Sequence, residues 1–124
     1  MRIELSNGYV LMKDEVTRKI DRDYQERLFK GSKLETKGDV DDNGKPIVQY
    51  AIDPVASDRA AEGMILGLVN EVFEFGPEVD GKVTEKRVSP SQDWLDNLSS
   101  ANYAKIEREA LRIKKESDEN AKKL

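Results

Sequence analysis

The sequence predicts an α+β fold: an N-terminal β-hairpin, a helix-rich body of about four helices and a mobile polar insert. Three observations carry this. Two short apolar-alternating runs, Arg2-Ile3-Glu4-Leu5 and Tyr9-Val10-Leu11-Met12, flank Ser6-Asn7-Gly8. Apolar residues then recur at helical spacing in separate stretches, and the segment from Ser32 to Pro46 is polar and punctuated by glycine. A chain of 124 residues is long enough for one modest core, so residues 1–113 are expected to form a single domain with a flexible insert at 32–46, followed by a charged C-terminal tail at 114–124.

Taken in order, the Asn7-Gly8 pair is a type I′ hairpin signal, because that turn needs positive φ at both central residues. After Asp14, an N-cap candidate, Val16, Ile20, Tyr24 and Leu28 fall four apart, with Gly31 as the stop. The opposite face of this first helix carries charges of both signs and reads as a solvated surface. Ile47 to Ile52 reads as a strand. Asp53-Pro54 then supplies a cap and a proline at the first helical position, opening a second helix through Ala60, Met64, Ile65, Leu68, Val69 and Val72. This is the expected central core helix. Gly63 and Gly67, four apart within it, read as places where a neighbouring backbone comes close rather than as a ligand site. Phe73-Glu74-Phe75 and Val83 to Val88 bracket Asp80-Gly81 and predict a hairpin or long loop. Ser89-Pro90-Ser91-Gln92 combines cap, proline and a capping-box Gln before a short helix holding Trp94, Leu95 and Leu98. Ser99 or Ser100 starts a last helix with Tyr103, Ile106, Ala110 and Ile113 on one stripe. Beyond it the charged residues 114–124 are expected to fray or await a partner.

Composition narrows the function classes. Charged residues are 37% of the chain and the net charge is −4, a balance that argues against a nucleic-acid phosphate binder. The longest apolar run, Met64 to Val69, is far too short to span a membrane, and the N-terminus lacks a signal-peptide core. A soluble intracellular protein is expected. With no Cys and no His, thiol nucleophiles, zinc sites and Ser-His-Asp arrangements are ruled out together. The carboxylate pairs Glu71 with Glu74 and Asp93 with Asp96 are spaced as an acidic chain produces by coincidence, with no apolar pocket evident to raise a pKa. No glycine cluster matches a phosphate loop. No catalytic residue, cofactor or metal ligand is therefore assigned.

One stretch invites a metal reading. Asp39, Asp41, Asn43 and Gly44 match the first half of an EF-hand calcium loop, but the closing Glu is replaced by Tyr50 and the eighth position is Pro46. Asn43-Gly44 reads more simply as a turn.

The order of parts, with Val69-Asn70-Glu71-Val72-Phe73-Glu74-Phe75, Val79-Asp80-Gly81-Lys82 and the Trp94 to Ile106 stretch, resembles the tail assembly chaperone proteins of long-tailed, siphovirus-like bacteriophages. The resemblance covers most of the chain in layout and rests on a loose pattern: an apolar helix, an Asp-Gly turn, and a helix pair with leucine, small polar residues and tyrosine. It implies a non-catalytic protein of the host cytoplasm that binds the tape measure protein and aids assembly of the tail tube protein around it. In that family a longer, frameshifted form is common, and the charged tail at 114–124 would suit such a junction. The insert at 32–46 departs from the family's pattern.

A chaperone for an apolar helical client needs an accessible hydrophobic surface. Met64, Leu68, Val72, Phe73 and Phe75 are the candidate partner-binding residues, with Trp94 as a further anchor; the competing reading places each of them in the core. Self-association into a homo-oligomer is compatible with this role. Two other readings stand beside it: a structural virion component such as a connector or tail-completion protein, and a calcium- or nucleotide-dependent enzyme or regulator.

Overall fold

The computed structural model describes residues 1–30, 32–40, 42–44, 46–52 and 54–122. Its centre is a four-stranded antiparallel sheet in the order β1-β2-β5-β6, built from β1 (Arg2–Leu5), β2 (Gly8–Met12), β5 (Val69–Val79) and β6 (Lys82–Val88). Between β2 and β5 the chain forms α1 (Arg18–Lys30), a separate two-stranded ribbon of β3 (Ser32–Val40) and β4 (Pro46–Ile52), and α2 (Pro54–Leu68). After β6 come α3 (Gln92–Asp96) and α4 (Ser100–Lys122). The α+β fold, its N-terminal hairpin and its four helices agree with the sequence reading.

One face of the sheet meets the helices. Ile3, Leu5, Val10, Met12, Val69 and Val72 from the strands join Ile20, Met64, Ile65, Leu68, Trp94, Leu95, Ile106, Ala110 and Ile113 in a continuous buried core. Strand alternation accounts for this selection, since Ile3 sits opposite Val10 and Val10 opposite Val72, so the three share a face.

The central helix ends earlier than its apolar spacing suggested. α2 stops at Leu68, and Val69 opens a strand without an intervening loop, so Val69 and Val72 belong to the sheet. A β-bulge explains the misleading pattern. The ladder pairs Met12 with Val69 but Leu11 with Glu71, which leaves Asn70 as the extra residue. Two valines three apart therefore face the same core, a spacing that imitates a helix. Lys13 secures the junction: its ammonium donates to Gly67 O at 3.0 Å and to Asn70 Oδ1 at 2.7 Å, and its backbone N–H donates to Leu68 O at 2.8 Å. The last carbonyls of α2 are thus satisfied by a cation and an amide where a glycine cap would otherwise serve.

Several caps also shift. α1 begins at Arg18, with Thr17 Oγ1 accepting from Ile20 N at 3.3 Å, whereas Asp14 lies 3.5 Å from the Met1 ammonium. α3 is capped by Ser91, whose Oγ accepts from Trp94 N at 3.2 Å, so Pro90 precedes the cap. Ser99 caps α4 through Asn102 N. The cap expected at Asp53 lies outside the described residues. α4 runs unbroken past residue 113 to Lys122. There Ser117 Oγ accepts from Val16 N at 3.1 Å, and Lys114 bridges Asp118 at 2.9 Å and sits over the Tyr24 ring.

Both hairpin glycines have identifiable reasons. Asp80 and Gly81 take φ of 52° and 78°, the paired positive values of a type I′ connection, as their sequence implied. The first hairpin differs: its turn residues are Ser6 and Asn7, neither with positive φ, and Gly8 is already in β2. A side chain at Gly8 would overlap the Phe73 carbonyl oxygen of β5, so close strand approach is what requires glycine there. The turn itself is held from a distance. Buried Asn102 of α4 accepts from Ser6 N at 3.1 Å and donates to Ser6 Oγ at 3.0 Å and Asn7 Oδ1 at 3.2 Å.

Residues 32–46, expected to be a mobile polar insert, hold β3 and the turn towards β4, and the strand expected from Ile47 to Ile52 is β4, the partner of β3 in the ribbon. Its turn includes Gly44 at φ 76°, in line with the Asn43-Gly44 signal. Strands rather than helices flank that turn, an arrangement unlike an EF-hand. Asp41 lies outside the described residues.

Gly63 and Gly67 admit α1, as expected, but not equally. A Cβ on Gly67 would lie 2.9 Å from Cγ1 of buried Ile20, a stiff β-branched side chain; one on Gly63 would meet only the movable ends of Arg27 and Asp23. Gly67→Ala should therefore destabilise by about 1–2 kcal/mol, overpacking outweighing the gain in helix propensity, whereas Gly63→Ala should be close to neutral. Urea denaturation of the two variants checks this contrast. Asn102→Ala, which leaves the Ser6 amide without its acceptor, should cost about 1–3 kcal/mol in the same assay.

Candidate functional site

The face of the sheet turned away from the helices carries its own aromatic strip. Tyr9 on β2 pairs with Phe73 on β5, and Phe75 follows two residues on, so alternation brings all three to this outer face. The rings of Tyr9 and Phe73 stack with centroids 5.0 Å apart, and Phe75 is 6.1 Å from Tyr9. The Arg2 guanidinium covers the Tyr9 ring at 3.7 Å, a cation–π contact that leaves Tyr9 buried. The Tyr9 hydroxyl donates to Glu85 Oε2 at 2.7 Å, reaching across β5 to β6, and Arg87 bridges Glu71 at 3.2 Å. The hydrogen bond to Glu85, with burial added, holds the Tyr9 phenol above its ordinary range.

Beyond this strip the β5–β6 hairpin extends past the end of β2, which reaches only as far as Glu74. Its distal half is an arm. Phe75, Val79 and Val83 are 43%, 54% and 56% exposed there. A bulge between Phe75 and Glu78, at Gly76-Pro77, twists the arm, and Thr84 Oγ1 donating to Pro77 O at 2.8 Å holds it.

The six sequence candidates separate cleanly. Met64, Leu68, Val72 and Trp94 are interior, with Trp94 sealing α3 to the core. They form no surface groove in this conformation, because Val72 on the inner face of β5 packs with Met64 and Leu68 of α2 and Trp94 of α3 in the core. Phe73 and Phe75 lie on the outer face, half-buried and exposed. Tyr9 and Val83 belong with them and were missed, whereas Val79, paired with Lys82, lies on the opposite face of the arm; the signal available was strand alternation, which opposes Val72 to Phe73 once the segment is read as β rather than α.

A cleft of about 600 Å³ opens between the β1–β2 turn, the end of β6 and α3. Glu74 and Asp93 line it together with Ser6, Ser89, Ser91 and Asn97. The carboxylate pairs considered from sequence do not form as such: Glu71 and Glu74 are directed to opposite faces of β5, and Asp96 accepts a hydrogen bond from Gln92 at 2.9 Å. Among the described residues no group of three or more acidic side chains is placed to hold a metal ion, and no helix is long and apolar enough to cross a membrane. Comparison with family models, with curated proteins and with solved structures finds no match.

Among the described residues, one tyrosine has a large pKa shift and lies away from both the strip and the arm. Tyr103 of α4, partly buried and near Glu107, has its phenol pushed up to about 12, first by desolvation and then by that carboxylate. A raised folded-state pKa on an acid means that the folded form keeps its proton longer. Stability from Tyr103 is present below the unfolded value of 10.0 and is lost as pH rises from there towards about 12. Lys114, also raised, acts with the same sign. Phenolate absorbance should show one tyrosine titrating near 12 in the folded protein. Tyr103→Phe should remove that step and flatten the fall in melting temperature above pH 10.

Proposed function

We propose that the protein is a non-catalytic tail assembly chaperone of a long-tailed bacteriophage, binding the tape measure protein and aiding assembly of tail tube subunits. The observation that carries the reading is the exposed apolar arm: Phe75 and Val83 on the outer face of the distal half of one hairpin, continuous with the Tyr9–Phe73 strip, with Val79 exposed on the arm's other face. Apolar side chains presented together outside the core suit an amphipathic helix that must be kept from aggregating. The layout of helices, Asp-Gly turn and Trp94 to Ile106 stretch supports the same family. The binding surface proposed differs from the sequence expectation, resting on Phe73 and Phe75 with the arm and not on Met64, Leu68, Val72 or Trp94.

Burial of an exposed Phe or Val contributes about 1.5–3 kcal/mol. Phe75→Glu with Val83→Glu should therefore weaken binding to the tape measure protein of the same genome by at least about tenfold. Copurification after co-expression measures this, with Leu111→Glu, an exposed site on α4, as the control that retains the client. Undiminished recovery with the double variant overturns the arm as the binding surface. No recovery with the wild type, or stoichiometric presence of the protein in finished virions, overturns the chaperone reading, the latter in favour of a structural virion component.

A further inference from the structure

β6 is an edge of the main sheet, hydrogen-bonded to β5 on one side, and Lys82 to Arg87 are exposed along it. An unpaired edge is a template for one more strand. We propose that two copies of this chain pair antiparallel along β6, about a twofold axis at Lys86, to make one continuous eight-stranded sheet.

The register follows from symmetry and charge. A twofold axis perpendicular to the sheet keeps each side chain on its own face, so the axis must pass through a residue of β6 rather than between two. Centred on Thr84, Lys82 would oppose Lys86 twice. With the axis at Glu85, that carboxylate would face itself, and with it at Arg87, that guanidinium would. Centred on Lys86, Glu85 of each copy opposes Arg87 of the other, two opposite-charge pairs on the outer face, and Thr84 opposes Val88. The single like-charge meeting is Lys86 with its own copy on the inner face, where Glu74 is the neighbour across β5. Among pairs made within β6, this register alone brings opposite charges together.

The side chains involved are already held on the correct face. Glu85 accepts from the Tyr9 hydroxyl and Arg87 bridges Glu71. A carboxylate and a five-donor guanidinium each keep capacity for a second partner, so the contacts across the axis add to the existing ones. The pairing does not depend on which client the arm binds.

The experiment uses charge reversal in two complementary variants. Glu85→Arg places Arg at both positions of one chain, and Arg87→Glu places Glu at both positions of the other. By sedimentation velocity the wild type should be dimeric, and each variant alone should self-associate at least about tenfold more weakly. Their equimolar mixture should recover a dimer, since both cross-axis pairs are again opposite in sign. The chain has no cysteine, so a second readout is clean: Lys86→Cys should form a disulfide dimer on mild oxidation, because directly opposed strand residues lie within bridging distance, whereas Glu85→Cys should not. A wild type that stays monomeric to about 100 μM, far above the Kd of a specific interface, overturns the proposal. So does a mixture that fails to recover the dimer while both variants keep the wild-type circular dichroism. Should either variant unfold, the Lys86→Cys and Glu85→Cys comparison decides alone, and equal crosslinking of the two rejects the register.

Discussion

Everything else in the structure depends on the junction where α2 becomes β5 without a loop. Leu68 closes the helix and Val69 opens the strand, both buried, and the core passes from one to the other without interruption. Helix ends normally need glycine or solvent to take up their free carbonyls. Here Lys13, just beyond β2, does so with its ammonium and its own amide. Because Met12 pairs with Val69, the same few residues start the central strand and finish the central helix. The register of β2 on β5 then fixes which side of β5 faces the helices, and by alternation which side carries Phe73 and Phe75.

Close approach is the second constraint, and polar side chains manage it at the periphery. The two helical glycines let α1 descend onto α2, and Gly8 lets β2 pass the Phe73 carbonyl. Asn102 contributes nothing apolar, yet it is buried with every group satisfied, fastening the first turn to the last helix across 96 residues of chain from Ser6. A polar group placed this way discriminates between registers more than it stabilises, since any slip would leave its amide unpartnered in the interior.

What could be read from the residues alone followed from how local each cause is. The Asp80-Gly81 hairpin, the start of α2 at Pro54 and the stripe of α4 are set by backbone preference and period, and all were legible. The caps of α1 and α3 fell a turn or less away from the expected residues, because Asp14 and Ser89 are as good cap formers as Thr17 and Ser91 and only packing chooses between them. The α2–β5 boundary was not legible, since a bulge at Asn70 gives Val69 and Val72 helical spacing within a strand. That one misreading carried into the candidate site: taken as helix, Met64, Leu68 and Val72 share a face with the phenylalanines just beyond them. Taken as strand, Val72 and Phe73 point in opposite directions, and the accessible surface moves to Phe73, Phe75 and the arm.

The arm also shows why exposed apolar residues and edge charges occur on one hairpin. Phe75, Val79 and Val83 without protection would invite indiscriminate pairing along β6. The strand that borders them carries Lys82, Glu85, Lys86 and Arg87, enough charge to penalise most registers and most foreign strands. Charge that only repelled would need one sign. The alternation of Glu85 and Arg87 on the outer face admits one self-complementary alignment while rejecting its neighbours, so the edge is selective rather than closed. The apolar side chains, meanwhile, lie on the faces of the arm and not along its hydrogen-bonding edge. They stay open to a helix whether or not the edge is occupied, which separates the surface proposed for a client from the one proposed for a second copy.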